Sequence, residues 1–249
     1  MFGFHSDVIV EYWPLFVHGA WMTVQITVIC VFLGMILGTL LGMGRLASAR
    51  YEPAKSFLHF GVRWPIAVYV SFFRGTPLFV QIFLMHFAVL PIFIHPVDGL
   101  LIDGALAREI RANYGAMLAG ICAITLNSGA YMCEIFRAGI QSLDKGQMES
   151  ARSLGMSFSR ILAKIVIPQA LRSSVLPMTN LFIAVMLTTA LGSQVPLKPQ
   201  ELTGVVSYIN TRSLGGVAAF FISALGYLGT AFVVSHIGNY IDKKVRILR

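Results

Sequence analysis

Long apolar runs constrain this chain more than any other feature. A run of about 18 or more apolar residues reads as a membrane-spanning helix. The stretch from Gly19 to Gly44 carries no charged side chain, and the first Lys or Arg in the sequence is Arg45, at its end. Only 12% of the 249 residues are charged and the mean hydropathy is +0.74, where a soluble domain has about 25% charged residues. That leaves too little polar surface to cover a water-soluble fold. The pattern predicts an all-α integral membrane protein, a single transmembrane domain over 1–249, with spans at about 19–44, 65–95, 113–135, 173–195 and 214–240. No basic region precedes the first apolar run, so that run is expected to stay in the protein as an anchor rather than be cleaved as a signal peptide.

Five spans put the termini on opposite faces, and the positive-inside rule orients them. With the N-terminus outside, the cytoplasmic segments 45–63, 136–172 and 241–249 hold 14 of the 19 Lys and Arg residues. They are Arg45, Arg50, Lys55 and Arg63, then Arg137, Lys145, Arg152, Arg160, Lys164 and Arg172, then Lys243, Lys244, Arg246 and Arg249. Outside lie Arg108, Arg111, Lys198 and Arg212. N-terminus out and C-terminus cytoplasmic is the predicted topology. The net charge of +8 thus marks loops that meet anionic lipid headgroups. No basic stripe interleaved with aromatics points to nucleic acid.

Within the spans, Gly34, Gly38 and Gly42 recur every four residues. A small-residue groove of this kind admits close helix approach, within the subunit or at a dimer interface. Cys30, Cys122 and Cys133 all fall in spans and read as small packing residues rather than a disulfide framework. The outer loop around Pro96–Ala112 carries Asp98, Asp103, Arg108 and Glu109. Its second half could form a short helix capped by Asp103. The loop suits a landing surface for an external partner, and a solvated loop would look the same.

Arg74 sits inside the second span, where Arg-Gly-Thr-Pro at 74–77 interrupts the apolar run. An arginine at mid-membrane costs about 2.5–3.5 kcal/mol on insertion scales and faces a partner or cavity. Pro77 removes the helical bond to the Phe73 carbonyl and should kink the chain there. Arg74 therefore lies beside a pathway, pairs with Glu134, or snorkels to the cytoplasmic interface. Asn127, Ser128 and Asn180 could line a path or bond between helices.

The cytoplasmic stretch 136–172 is the longest inner loop. Leu143, Met148, Ala151 and Leu154 recur at helical spacing, and Gly155 can end that helix. Ser157 can cap a second helix, carrying Ile161, Leu162 and Ile165 until Pro168 stops it. Two short helices meeting at a glycine make a knob that could enter a groove on a soluble partner. An interfacial helix lying on lipid would share the periodicity.

Glu149-Ser150-Ala151 with Gly155 and, further on, Ile165-Val166-Ile167-Pro168 looks like the EAA loop of ABC-importer permeases. Tyr131, Glu134, Phe136, Arg137, Gly139, Ile140, Gly146, Gln147, Gln169 and Ala170 extend the match, as does the run from Phe72 to Gln81. From about Trp21 to Tyr240 the chain resembles the polar amino-acid permeases, the histidine, glutamine and arginine type. Ser150 stands where the family has a second alanine, Ile167 where it has leucine, and from Thr188 to Arg212, with Pro196 and Pro199, the pattern fades. The resemblance implies a type I ABC-importer permease in the bacterial inner membrane, multi-pass, moving polar amino acids by alternating access. It implies as partners a cytoplasmic ABC ATPase dimer, a second permease subunit (self or sister chain), an extracytoplasmic substrate-binding protein and membrane lipid. Glu149, Ser150, Ala151, Leu154, Gly155 and Pro168 then form the ATPase-coupling loop. Arg74, Pro77 and Glu134 are pathway or structural candidates.

The chain has no G-x-x-x-x-G-K-[S/T] phosphate loop, so it is expected to bind no cofactor of its own and to leave ATP to the partner. No C-x-x-C or H-E-x-x-H pair suggests a metal, and the spans offer no catalytic constellation. An ion-coupled secondary carrier is the main alternative. It would call for more spans, inverted repeats and acidic residues within the membrane.

Overall fold

With no water to bond a backbone inside the bilayer, a spanning segment satisfies its own N–H and C=O groups, and apolar runs fold as helices. The computed structural model describes residues 6–46, 58–194, 201–212 and 216–245. Arg50, Lys55, Lys198, Arg246 and Arg249, with Pro196 and Pro199, lie outside the described residues. In chain order the helices are α1 (Ser6–Leu46), α2 (Trp64–Gly75), α3 (Leu78–Leu84), α4 (Leu90–Phe93), α5 (Gly104–Gln141) and α6 (Lys145–Ser153). There follow α7 (Phe158–Ile161), α8 (Ile167–Ser173), α9 (Val175–Thr188), α10 (Leu202–Arg212) and α11 (Gly216–Val245).

Among the described residues three helices are long and apolar enough to cross a membrane, over Val10–Arg45, Gly104–Gln141 and Val217–Val245. Two bent pairs, one turning by 110° between Gly75 and Leu78 and one by 51° at Ser174, make five crossings if each pair is one span. The 38 residues of α5 at about 1.5 Å each run roughly 57 Å, well past the ~30 Å hydrocarbon layer. Helix α5 thus includes the outer stretch read as a separate short helix and continues into the cytoplasm to Gln141. Asp103 makes no side-chain cap. The Gly104 N–H instead donates to the Pro96 carbonyl (3.1 Å) and Gly104 turns at φ +65°.

α5 is the central helix, and its small residues explain why. Ala107, Ala116, Ala119, Ala123, Gly129 and Ala130 are buried along it, leaving room for α1 on one side and α2, α3 and α9 around it. The glycine groove of α1 faces α5 within the subunit. A Cβ on Gly34 would collide with the Ser128 hydroxyl, and one on Gly42 would stand 2.8 Å from Phe136. Ser128 Oγ donates to the Cys30 carbonyl (3.2 Å) across the same contact. Cys30 and Cys133 are buried there, whereas Cys122 is exposed.

Proline treatment is the main departure from expectation. Pro168 does not stop its helix: a wide π turn at Leu162–Val166 precedes it and the path continues as α8. The same arrangement recurs at His59–Arg63 before Pro65 and at Met85–Val89 before Pro91. An i→i+5 turn makes room for a ring that would otherwise strike the carbonyl four residues back.

Candidate functional site

The cytoplasmic knob is built on a well-closed helix end. Asp144 caps α6 by accepting from the Gly146 N–H (2.8 Å). At its other end Gly155 adopts φ +74°. The Gly155 N–H donates to the Arg152 carbonyl (2.9 Å) and the Met156 N–H to the Ala151 carbonyl (3.1 Å), the paired bonds of a Schellman motif. Ala151, Ile161 and Val166 are buried together, with Ile140, Leu143, Met148 and Met156 packed around them. Ser157 starts α7 through its backbone carbonyl alone.

Leu154 does not join this core. It is 82% exposed, because the turn into the Gly155 conformation carries it off the apolar face that periodicity assigned to it. Glu149 and Ser150 are also exposed. The knob is fixed to α5 at Gly139, where a Cβ would stand 2.8 Å from Ser174 Oγ and 3.0 Å from the Ala170 carbonyl. Gln169 Nε2 also donates to Gln147 Oε1 (2.8 Å), tying α8 to α6.

The second feature is the break between α2 and α3. Pro77 frees the Phe73 carbonyl, which accepts from Gln81 Nε2 (2.9 Å) and Asn127 Nδ2 (2.7 Å). Gln81 also donates to Thr76 Oγ1 (2.8 Å), and Thr76 Oγ1 donates to the Phe72 carbonyl (2.8 Å). Gln81, 3% exposed, therefore replaces with its amide the helical bonds the break removes. Asn127 and Ser128 serve inter-helix bonding; Asn180 is exposed.

Third, Glu134 gathers arginines from three helices. Arg137 donates to its Oε2 from Nε (2.9 Å) and Nη2 (2.7 Å), and Arg45 pairs with its Oε1. The expected Arg74 partnership is present but looser, at 3.8 Å, with Arg74 also lying 5.3 Å over the Tyr131 ring. Arg74 thus reaches along α5 to the end of the span, combining the pair and the snorkel. The parts of Arg45 and Arg137 were missed. Arg137, three residues after Glu134 on a helix, was the available signal.

Glu201 was missed altogether. It is fully buried in the connection between the fourth and fifth spans, and its carboxylate caps α10. It accepts from the Thr203 N–H (2.8 Å), the Gly204 N–H (2.8 Å) and the Tyr227 hydroxyl (2.8 Å). Burial pushes its carboxyl above the usual value, against the pull of those donors. The Leu202 N–H finds Thr23 Oγ1 on α1 (3.2 Å), so this cap also joins the outer halves of α1, α10 and α11.

Residues 31–247 match the family described as binding-protein-dependent transport system inner membrane component. The chain is 31% identical to the L-cystine transport system permease protein TcyB of Bacillus subtilis (strain 168), over 94% of this chain and 88% of that one. Among solved structures it is similar to a subunit of an amino acid ABC transporter crystallised with histidines, at 27% identity, TM-score 0.78, 97% of this chain and 98% of that one. The inward-facing MetNI methionine ABC transporter, at 18% identity, TM-score 0.73, 95% of this chain and 99% of that one, shares the fold.

Proposed function

Because the chain belongs to the family of binding-protein-dependent transport system inner membrane components, we propose that polar amino acids are its cargo and that Leu154 is its contact with the motor. The chain is a multi-pass permease subunit of an ABC importer in the bacterial inner membrane. The amino-acid class is supported by the L-cystine system and by the amino acid transporter to which it is similar. A dimer of ATPase subunits binds below, an extracytoplasmic binding protein delivers cargo above, and a second permease, a copy or a sister chain, completes the pathway. ATP is used by the partner.

The observation that carries the coupling role is the 82% exposed Leu154 on a helix end locked by Gly155. An apolar side chain held out into the cytoplasm on a rigid mount fits insertion into a groove. An interfacial helix would bury that leucine in lipid, but the knob already places its apolar face against the end of α5, α7 and the π turn at Leu162–Val166, leaving Leu154 and the less exposed Phe158 rather than a stripe. Closure of the ATPase pair would then move the knob, and α5 with it, between two access states. Glu149, Ser150 and Ala151 shape the knob, and Pro168 with its π turn returns the chain to α9.

The test is uptake by proteoliposomes holding the complete transporter and its binding protein, screened with labelled basic, acidic, amide and cystine substrates. ATP-dependent uptake of one class, lost in Leu154→Asp while the complex still assembles, is the expected result. Uptake without ATP would overturn the reading in favour of an ion-coupled carrier. Full transport by Leu154→Asp would remove the leucine from the coupling step.

A further inference from the structure

Arg74 leaves the backbone at membrane depth. The uncharged part of α5, 112–133, runs roughly 33 Å at about 1.5 Å per residue, one hydrocarbon thickness. Asn127 lies within it and holds the carbonyl of Phe73, the residue before Arg74 (2.7 Å). From there the guanidinium reaches the Tyr131 ring, 5.3 Å from its centroid, and stands 3.8 Å from Glu134 Oε2. Hydrogen bonds from such nitrogens close at about 2.7–3.2 Å, and among the described residues this guanidinium makes none. Arg74 is also last in line at that carboxylate. Arg137 donates twice to Oε2 and Arg45 pairs with Oε1, so Glu134 stays compensated when Arg74 turns away from it.

The face around Arg74 is polar where a lipid-facing one is not. Ser71 and Arg74, three residues apart on α2, and Tyr131 on α5 are all exposed, the Arg74 side chain by 43%. A Cβ on Gly75 would meet nothing within 4 Å, so the chain beside Arg74 is open as well. From Val217 to Val233, by contrast, every exposed residue of α11 is apolar and suits lipid tails. Charged residues within spans face the bundle interior or a water-filled cavity. The face of Ser71, Arg74 and Tyr131 is therefore the one turned to the pathway that a second permease completes.

We propose that Arg74 receives the α-carboxylate of the cargo in the inner half of that pathway, exchanging its long pair with Glu134 for a bidentate one. A guanidinium fork matches a carboxylate with two parallel N–H···O bonds. The Tyr131 ring beneath it supports the cation by its π face and leaves the edge of the fork free for the acceptor. The assignment rests on amino acids being the cargo, since the α-carboxylate is the group that all of them share.

Binding of labelled L-arginine, L-glutamate, L-glutamine and L-cystine to the assembled transporter in nanodiscs tests this, each set against its α-amide. The parent complex should bind one of these acids more tightly than the matching amide by about ten-fold, the worth of one charge-assisted hydrogen bond. Arg74→Gln should lower the affinity for the acid to that of the amide and leave the amide unchanged. Arg74→Lys should keep most of the preference. A misfolded variant loses both ligands alike, so the surviving amide separates recognition from structure. Three outcomes would overturn the assignment while leaving the amino-acid cargo intact: equal binding of acid and amide by the parent, an undiminished preference in Arg74→Gln, or loss of both ligands by an Arg74→Gln complex that still assembles. Binding of none of the acids by the parent would overturn the cargo reading, and the assignment with it.

Discussion

Replacing Gly38 by alanine tests whether the groove on α1 sets the spacing of the bundle. The added Cβ would collide with the Cβ of Met132 and stand 2.7 Å from the Gly129 carbonyl oxygen and 2.8 Å from the Cys133 nitrogen. Two of these three are backbone atoms of α5, which cannot rotate away as a side-chain tip can. Carbon contacts settle at about 3.5–4.0 Å, so α1 must withdraw by roughly an ångström along its most extensive contact. A gap of about 0.5–1 Å forfeits a quarter to a half of each dispersion well it opens. Overpacking of this kind costs about 1–3 kcal/mol, partly offset by the better helix propensity of alanine. At about 2–4 °C per kcal/mol for a chain of this size, the melting midpoint of the detergent-purified protein should fall by roughly 2–12 °C.

Gly120 on α5 is the control, because a Cβ there would meet nothing within 4 Å. Gly120→Ala should leave the midpoint unchanged or raise it. Thermal unfolding followed by size-exclusion chromatography reads both. The reasoning is refuted if Gly38→Ala melts with the parent protein, or if Gly120→Ala loses as much stability. The first outcome would mean that α1 and α5 are free to separate. The second would mean that glycine itself, not the space, is what these helices need.

Gln81→Leu keeps the size of the side chain but removes its amide donors to the Phe73 carbonyl and Thr76; Asn127 still donates to that carbonyl, so the cost is that of the hydrogen bonds lost, about 0.5–1.5 kcal/mol each, read as a lower melting midpoint, and Gln81→Glu should not restore it. Glu134→Gln should impair assembly more than Arg74→Gln, because Arg45 and Arg137 hold the carboxylate closely while Arg74 stands 3.8 Å away; a swap of Arg74 with Glu134 should not rescue, and full rescue would make Arg74 the main partner. Glu201 has a carboxyl raised from an ordinary value of 4.5 by burial, so the folded protein binds its proton more tightly than the unfolded chain does. Its contribution is complete below that ordinary value and is lost as pH rises through the folded value. Midpoints measured across that window should fall with rising pH, and Glu201→Gln should flatten the dependence; an unchanged slope would point to other groups.

The apolar helices and the family resemblance were legible because each rests on local signals: apolar run length, and a motif confined to one stretch of chain. The break at 74–77 was legible for the same reason, since Gly75-Thr76-Pro77 disfavours helix in any context. What stayed hidden depends on which helix ends meet in space. Arg45 and Glu134 lie 89 residues apart, and nothing in either segment marks the other. Pro168 read as a stop because proline rules describe an α turn, whereas a π turn two residues earlier absorbs the ring. Leu154 fits an apolar repeat on paper, but the left-handed Gly155 beside it turns the chain just where the repeat is extrapolated. Glu201 fell where the family pattern fades; an acid directly before Leu-Thr-Gly at a helix start was the signal available.

These features share one helix, and that sharing suggests how they work together. Gly139 seats the knob, Glu134 gathers Arg45, Arg74 and Arg137, and Asn127 holds the freed Phe73 carbonyl, all on α5. At about 1.5 Å per residue, roughly 18 Å separate the knob's seat from the break. The helix between them is continuous. On the coupling role proposed above, a push on the knob would travel up α5 as a displacement of a rigid element, with no loop in the way to absorb it. At Glu134 the push bears on α1 and α2 through ion pairs, and at Asn127 it bears on the one point in the second span where the backbone is already discontinuous. A broken helix held by two amides can change angle at the cost of a few hydrogen bonds, whereas an intact one would have to be bent. On that reading the 110° turn after Gly75 would be the compliant joint, and α5 the stiff arm that reaches it from the cytoplasm.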